Sequence, residues 1–141
     1  DPKQIVLEIT ESALMGNAVA AEKVLRTLKA SGLTIALDDF GTGYSSLSYL
    51  HRFSIDILKV DRSFINDIHN KNGKSLDVVR SIVSLAKTFG LSIVAEGIEF
   101  KEDIETLSTL GCDNGQGYLF SKPMPVEQAV EFVRDSVKKH G

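Results

Sequence analysis

The chain has 141 residues, which is one domain on the usual scale of about 100–200 residues, and 43% hydrophobic with 25% charged residues is an ordinary folded composition. A net charge of −3 leaves no basic footprint for a nucleic-acid duplex, although a bound divalent cation would still admit a small nucleotide. The single Cys112 excludes an internal disulfide and fits a reducing compartment, and no apolar run approaches the roughly 20 residues of a membrane span.

Taken in chain order, short apolar runs that stop at acidic or amide-bearing residues alternate with stretches of helical periodicity. The first run, Ile5 to Glu11, predicts a strand. Residues 17–30 predict a helix with Val24, Leu25 and Leu28 on one face and Gly32 as its stop. A second strand is expected over about Thr34 to Asp38, leading into the glycine-rich segment Phe40-Gly41-Thr42-Gly43-Tyr44. Ser45 or Ser46 is placed to cap a short helix through Leu50. A third strand falls near Asp56 to Val60, and the polar stretch His69 to Lys74 reads as a loop. Ser75 is expected to cap a helix carrying Val78, Val79, Ile82, Val83, Ala86 and Phe89, closed by Gly90. The fourth strand is about Leu91 to Ala95, and a helix over 101–110 ends at Gly111. The fifth strand is expected to contain Tyr118-Leu119-Phe120, and Pro125 opens a last helix to about Lys138. No signal peptide is visible. The start at Asp1-Pro2, without a methionine, is expected of a piece cut from something longer.

Strands alternating with amphipathic helices predict an α/β fold of parallel βα units, here about five of them. A closed (β/α)8 barrel takes about 250 residues, so the expectation is the C-terminal portion of a TIM-like barrel, incomplete in this chain. An open sheet of this kind leaves strand edges unpaired, which favours association of two copies.

Parallel strands all end on one face, so Glu8, Asp38, Asp39, Lys59 and Glu96 are expected to meet there. Carboxylates drawn together out of water repel one another unless a cation joins them, so the cluster implies a metal. Alternation puts Val6, Glu8 and Thr10 on one strand face and Leu7, Ile9 and Glu11 on the other; Glu8 and Glu11 either lie at a frayed end in water or serve the site. Adjacent Asp38 and Asp39 would face opposite ways in a regular strand; where the strand gives way to loop both can aim at one ion, or one of them caps a loop amide, with Asp38 the preferred ligand. Lys59, between Leu58 and Val60, has three readings: snorkelling at a strand end, holding a water or phosphate, or forming a Schiff base at a lowered pKa. Gln116 between two glycines is a loop amide or a ligand-orienting group. Gly41-Thr42-Gly43 reads more simply as a turn than as a phosphate cradle. His51, His69 and His140 lack zinc spacing and read as surface residues, and Cys112 reads as structural.

Several of these segments together resemble the EAL domain family of bacterial cyclic di-GMP phosphodiesterases. They are Glu8-Ile9-Thr10-Glu11, Asp38-Asp39-Phe40-Gly41-Thr42-Gly43-Tyr44-Ser45-Ser46-Leu47, Leu58-Lys59-Val60-Asp61-Arg62-Ser63-Phe64, Ala95-Glu96-Gly97-Ile98-Glu99 and Gln116 to Pro123. The likeness covers essentially the whole chain in order and corresponds to the C-terminal part of the domain. The Glu-Ala-Leu motif and an asparagine ligand are expected upstream. Ile98 in place of valine, and Asn114-Gly115 before Gln116, are mild departures.

The resemblance implies a metal-dependent hydrolysis of cyclic di-GMP to linear 5′-pGpG. It makes Glu8, Asp38, Asp39 and Glu96 ligands of Mg²⁺ or Mn²⁺. Glu96 is implied as general base or second-metal ligand, with Lys59 and Gln116 near the attacking water. Glu11 is implied to hold the segment Phe40 to Ser46, including Gly41, Thr42 and Gly43, which contributes to a homodimer. Asp61 and Glu99 match recurrent acidic positions. The implied setting is cytoplasmic, in a parent protein that other domains are free to anchor to a membrane. Two rivals remain: a non-catalytic cyclic di-GMP-binding signalling module, and a Schiff-base enzyme built on Lys59. The 141 residues alone are expected to be inactive.

Overall fold

The computed structural model describes residues 1–42, 50, 52–66, 68 and 74–140. After a 3₁₀ turn at Pro2–Gln4, the chain forms β1 (Val6–Thr10), helices α1 (Glu11–Gly16) and α2 (Ala18–Ala30), and β2 (Thr34–Phe40). Then come β3 (Ile57–Val60), α3 (Arg62–Ile65), α4 (Lys74–Thr88), β4 (Ser92–Ala95), α5 (Lys101–Leu110), β5 (Asn114–Gly115) and α6 (Val126–His140). The strands form one parallel sheet in the order β1-β2-β3-β4-β5. Within the described residues β1 pairs only with β2, so the sheet is open.

Apolar periodicity decides which sheet face is covered. Ile35 and Leu37 of β2, Leu58 and Val60 of β3, and Ile93 and Ala95 of β4 all point to one side and are buried. Against them pack Leu25 of α2, Val79, Ile82, Val83 and Ala86 of α4, and Leu107 of α5. The α4 positions follow the three-and-four spacing of a helix stripe, and each of the larger side chains, Val79, Ile82 and Val83, stabilises the fold by about 1.5–3 kcal/mol when fully buried. At the N-terminal end of the sheet, Asp56 accepts a hydrogen bond from the Ile35 amide (2.8 Å) and Asp113 from the Ile93 amide (2.7 Å). These carboxylates close the strand starts and serve stability; the acids of the opposite end are available for chemistry.

Several expectations are corrected. The aromatic run Tyr118-Leu119-Phe120 is a turn, and the fifth strand is the two residues Asn114–Gly115. A Cβ at Gly117 would stand 2.2 Å from the Ile98 carbonyl oxygen, so the chain folds tightly over β4's exit instead of extending. Glu11 leaves β1 to open α1, where it is buried, with Thr10 as N-cap. Ser75 lies inside α4, which already starts at Lys74. Asn17 caps α2 by accepting from the Ala20 amide (3.1 Å), and α5 ends at Gly111 as its sequence predicts. The short helix expected from Ser45 or Ser46, the segment 69–73, Gly43, His51 and His69 lie outside the described residues. No described helix is long and apolar enough to cross a membrane.

Candidate active site at the C-terminal strand ends

The uncovered sheet face carries the site. Glu8 pairs with Ala36, Thr10 with Asp38, and Lys59 with Val94, so alternation brings Glu8, Asp38, Lys59 and Glu96 to one face. Between Leu37 and Phe40 the register against β3 shifts: Leu37 faces Leu58 and Phe40 faces Val60, so Asp38 and Asp39 together oppose Lys59. Two residues against one is a β-bulge, with Asp39 at φ 56°. Aspartate tolerates this left-handed conformation better than most side chains. The bulge turns both carboxylates towards the site where a regular strand would send them to opposite faces, and it returns Phe40 to the core.

Lys59 is the hub. Its Nζ lies 2.8 Å from Glu8 Oε2, 2.7 Å from Glu96 Oε1 and 3.3 Å from Asp38 Oδ1, and its side chain is 5% exposed. Burial alone would depress the ammonium pKa. The hydrogen bonds to Glu8 and Glu96 and the charges of Glu96 and Asp38 outweigh it and hold Lys59 well above its ordinary value. A lysine held protonated is a poor Schiff-base nucleophile, so the ion pairs of Lys59 tell against that rival. Glu96 is pushed above the usual carboxylate range by burial and by Asp38, against the opposing pull of Lys59.

Beside this hub lies a pocket of about 320 Å³ lined by Asp39, Asp61, Arg62, Glu96, Glu99 and Gln116, with Gly97, Gly117 and Tyr118. Thus both expected acids, Asp61 and Glu99, border the site. Asp61 also caps α3: burial would raise its pKa, but hydrogen bonds from Ser63, the backbone amides of Ser63 and Arg62, and the Arg62 charge lower it. Gln116 is exposed; its backbone N–H donates to Ala95 O (2.8 Å) and its backbone carbonyl accepts from Ile98 N (3.1 Å). Thr42 Oγ1 donates to Asp39 O (2.8 Å), and a Cβ at Gly41 would meet the Phe64 ring at 3.1 Å, so this turn is seated on α3. Cys112 sits away from these groups, its thiol pushed up by burial to about 11, which makes it unreactive.

Sequence reading missed two residues, Arg62 and Gly97. Gly97 has φ 72°, and a Cβ there would lie 2.4 Å from Arg62 Cβ and 3.3 Å from Arg62 Cα. Gly97→Ala is therefore expected to force α3 away from the end of β4 and to cost roughly 2–4 kcal/mol in urea unfolding, through combined overpacking and left-handed strain. A variant as stable as the parent would show that the two elements separate freely. The only sequence signal for the pair was a glycine just after Glu96 and a cation just after the capping Asp61.

The donor set suits a hard divalent cation. Three carboxylates, Glu8, Asp38 and Glu96, surround a single ammonium and Asp39 lines the pocket beside them, so negative charge remains uncompensated and the donors are oxygen, although among the described residues no three acids stand close enough together to hold an ion without side-chain movement.

The sequence profile of the EAL domain matches residues 1–123, and the chain belongs to the EAL domain family. It is 45% identical over 133 residues to the bifunctional diguanylate cyclase/cyclic di-GMP phosphodiesterase MucR of Pseudomonas aeruginosa, an alignment covering 94% of this chain and 19% of MucR. The solved MucR phosphodiesterase in complex with c-di-GMP superposes with a TM-score of 0.85 at 46% identity, over 91% of this chain and 51% of that one. BlrP1 of Klebsiella pneumoniae, solved as a manganese/cyclic di-GMP complex, gives 0.79 at 40% identity over 86% and 31%. Its calcium complex matches equally well. The chain thus spans about a fifth of its curated relative and about half of the MucR structure.

Proposed function

We propose that this chain supplies the C-terminal part of a site that hydrolyses cyclic di-GMP to linear 5′-pGpG with Mg²⁺ or Mn²⁺. The observation that carries the reading is the convergence of Glu8, Asp38 and Glu96 on Lys59 at the strand ends, with Asp39 turned in by the bulge. Glu8, Asp38, Asp39 and Glu96 would hold the cation. When bound, it neutralises phosphate charge and makes a water nucleophilic near neutral pH.

The chain's own residues do the rest. Glu96, 2.7 Å from Lys59 at the end of β4, takes the proton of the attacking water as general base. Lys59, fixed as an ammonium, orients that water and counters charge on the phosphate, and the exposed Gln116 amide supplies a further polar contact. Attack at phosphorus breaks the bond to O3′, which leaves with a proton, and the phosphate stays on O5′. Buried Glu11 at the start of α1 would tether the segment 40–46, of which residues 43–46 lie outside the described residues, and Asp61 and Glu99 complete the acidic border. The same reading includes a homodimer in which segment 40–46 takes part, and a cytoplasmic setting, where a nucleotide second messenger acts.

Turnover is expected in the protein that carries this chain within a complete domain, when it is given cyclic di-GMP and Mn²⁺ and the product is separated by chromatography. EDTA should stop it, and added Mg²⁺ or Mn²⁺ should restore it. Tight binding without any pGpG would identify a receptor instead, and hydrolysis indifferent to EDTA would defeat the metal assignment.

A further inference from the structure

Arg62 has no part in the chemistry just described, yet it borders the same pocket. Of that pocket's lining residues it is the cation, set against Asp39, Asp61, Glu96 and Glu99. It is exposed, and no described carboxylate lies within ion-pair distance of its guanidinium, although its charge is felt by neighbouring Asp61. Lys59, the other cation of the site, is already shared among three carboxylates. The stem of Arg62 is also fixed: it is the first residue of α3 behind the capping Asp61, and its Cβ rests against the backbone of Gly97. The same pocket offers an exposed aromatic ring, Tyr118, and an exposed carboxylate, Glu99.

We propose that Arg62 is a specificity-determining residue that reads one guanine of the substrate, donating in fork geometry to O6 and N7. The proposal rests on the cyclic di-GMP reading above and deepens it. Guanine presents two adjacent acceptors on that edge and donors at N1 and N2 on the other. A guanidinium therefore matches the first edge and a carboxylate such as Glu99 the second. Adenine puts an N6 amino donor where guanine has O6, so the same arginine meets it donor to donor. Tyr118 supplies a face on which a base can stack.

The test measures binding by calorimetry in Ca²⁺, with cyclic di-GMP and cyclic di-AMP, on the protein carrying the complete domain. Arg62→Ala should weaken cyclic di-GMP binding by about 10- to 100-fold and change cyclic di-AMP binding by less than about threefold, so that discrimination collapses. Arg62→Lys, which keeps the charge and loses the fork, should recover only a small part of the loss. Equal weakening of both ligands, or full recovery by lysine, would overturn the proposal in favour of a phosphate contact; no weakening would overturn it outright. Arg62→Met preserves the stem against Gly97 and replaces the alanine variant if that one unfolds. Parent protein that binds but does not hydrolyse would sink the phosphodiesterase reading alone, whereas parent that does not bind would sink both.

Discussion

Glu96→Gln is expected to lower the hydrolysis rate by about 10²- to 10⁴-fold while leaving cyclic di-GMP affinity within a few fold of the parent. The amide keeps the shape of the side chain and its reach to Lys59 (2.7 Å in the parent), but it cannot take a proton. The pH dependence has a defined sign. A base acts when deprotonated, and in the metal-free site burial holds the Glu96 pKa above its ordinary value, so on acidification Glu96 takes up its proton at higher pH than an exposed glutamate does. Single-turnover rates with saturating metal and separate binding titrations distinguish the two effects. Retention of more than about a tenth of the parent rate would remove Glu96 as the base.

Lys59→Met should be nearly as damaging to turnover and, unlike Glu96→Gln, should also destabilise the protein. Methionine fills the space of the stem but leaves Glu8, Asp38 and Glu96 facing one another without their shared ammonium. The expected loss is roughly 2–3 kcal/mol at neutral pH, below that of a fully buried pair because Glu8 is half exposed and screened. The sign follows from Glu96, whose folded pKa is already raised. Its contribution is fully present below the unfolded value and declines as pH rises through the folded one, and removing Lys59 raises the folded value further. Thermal unfolding of the variant should therefore show stability recovering as pH falls from neutrality towards about 5. A variant whose deficit is the same at every pH would show that Lys59 matters for packing alone.

The sheet and its acidic ends were legible because each residue type could do little else where it stood. Ile35, Leu58 and Ile93 sit in runs too short for helices, and Glu8, Lys59 and Glu96 interrupt or end such runs with charges that need partners. What escaped the pattern was set by close backbone approach. Tyr118-Leu119-Phe120 has strand-like composition, but the contact of Gly117 with the Ile98 backbone bends it into a turn. The pairing of Arg62 with Gly97 depends on where α3 meets the end of β4, and no local period encodes that. Glu11 looked like the next strand residue because alternation carries no mark for the point at which Thr10 begins to cap a helix.

The bulge at Asp38-Asp39 also governs how position 39 can be interrogated. Asparagine shares aspartate's tolerance of a left-handed backbone, so Asp39→Asn removes charge and leaves the path of the chain intact. Alanine removes the charge and adds conformational strain, so its phenotype mixes two causes. The difference between the two variants isolates the conformational part. Deleting one residue between Leu37 and Phe40 would erase the irregularity altogether: Phe40 would keep its place on the core face with Leu37, the one remaining aspartate would face the site, and only the second carboxylate would be lost.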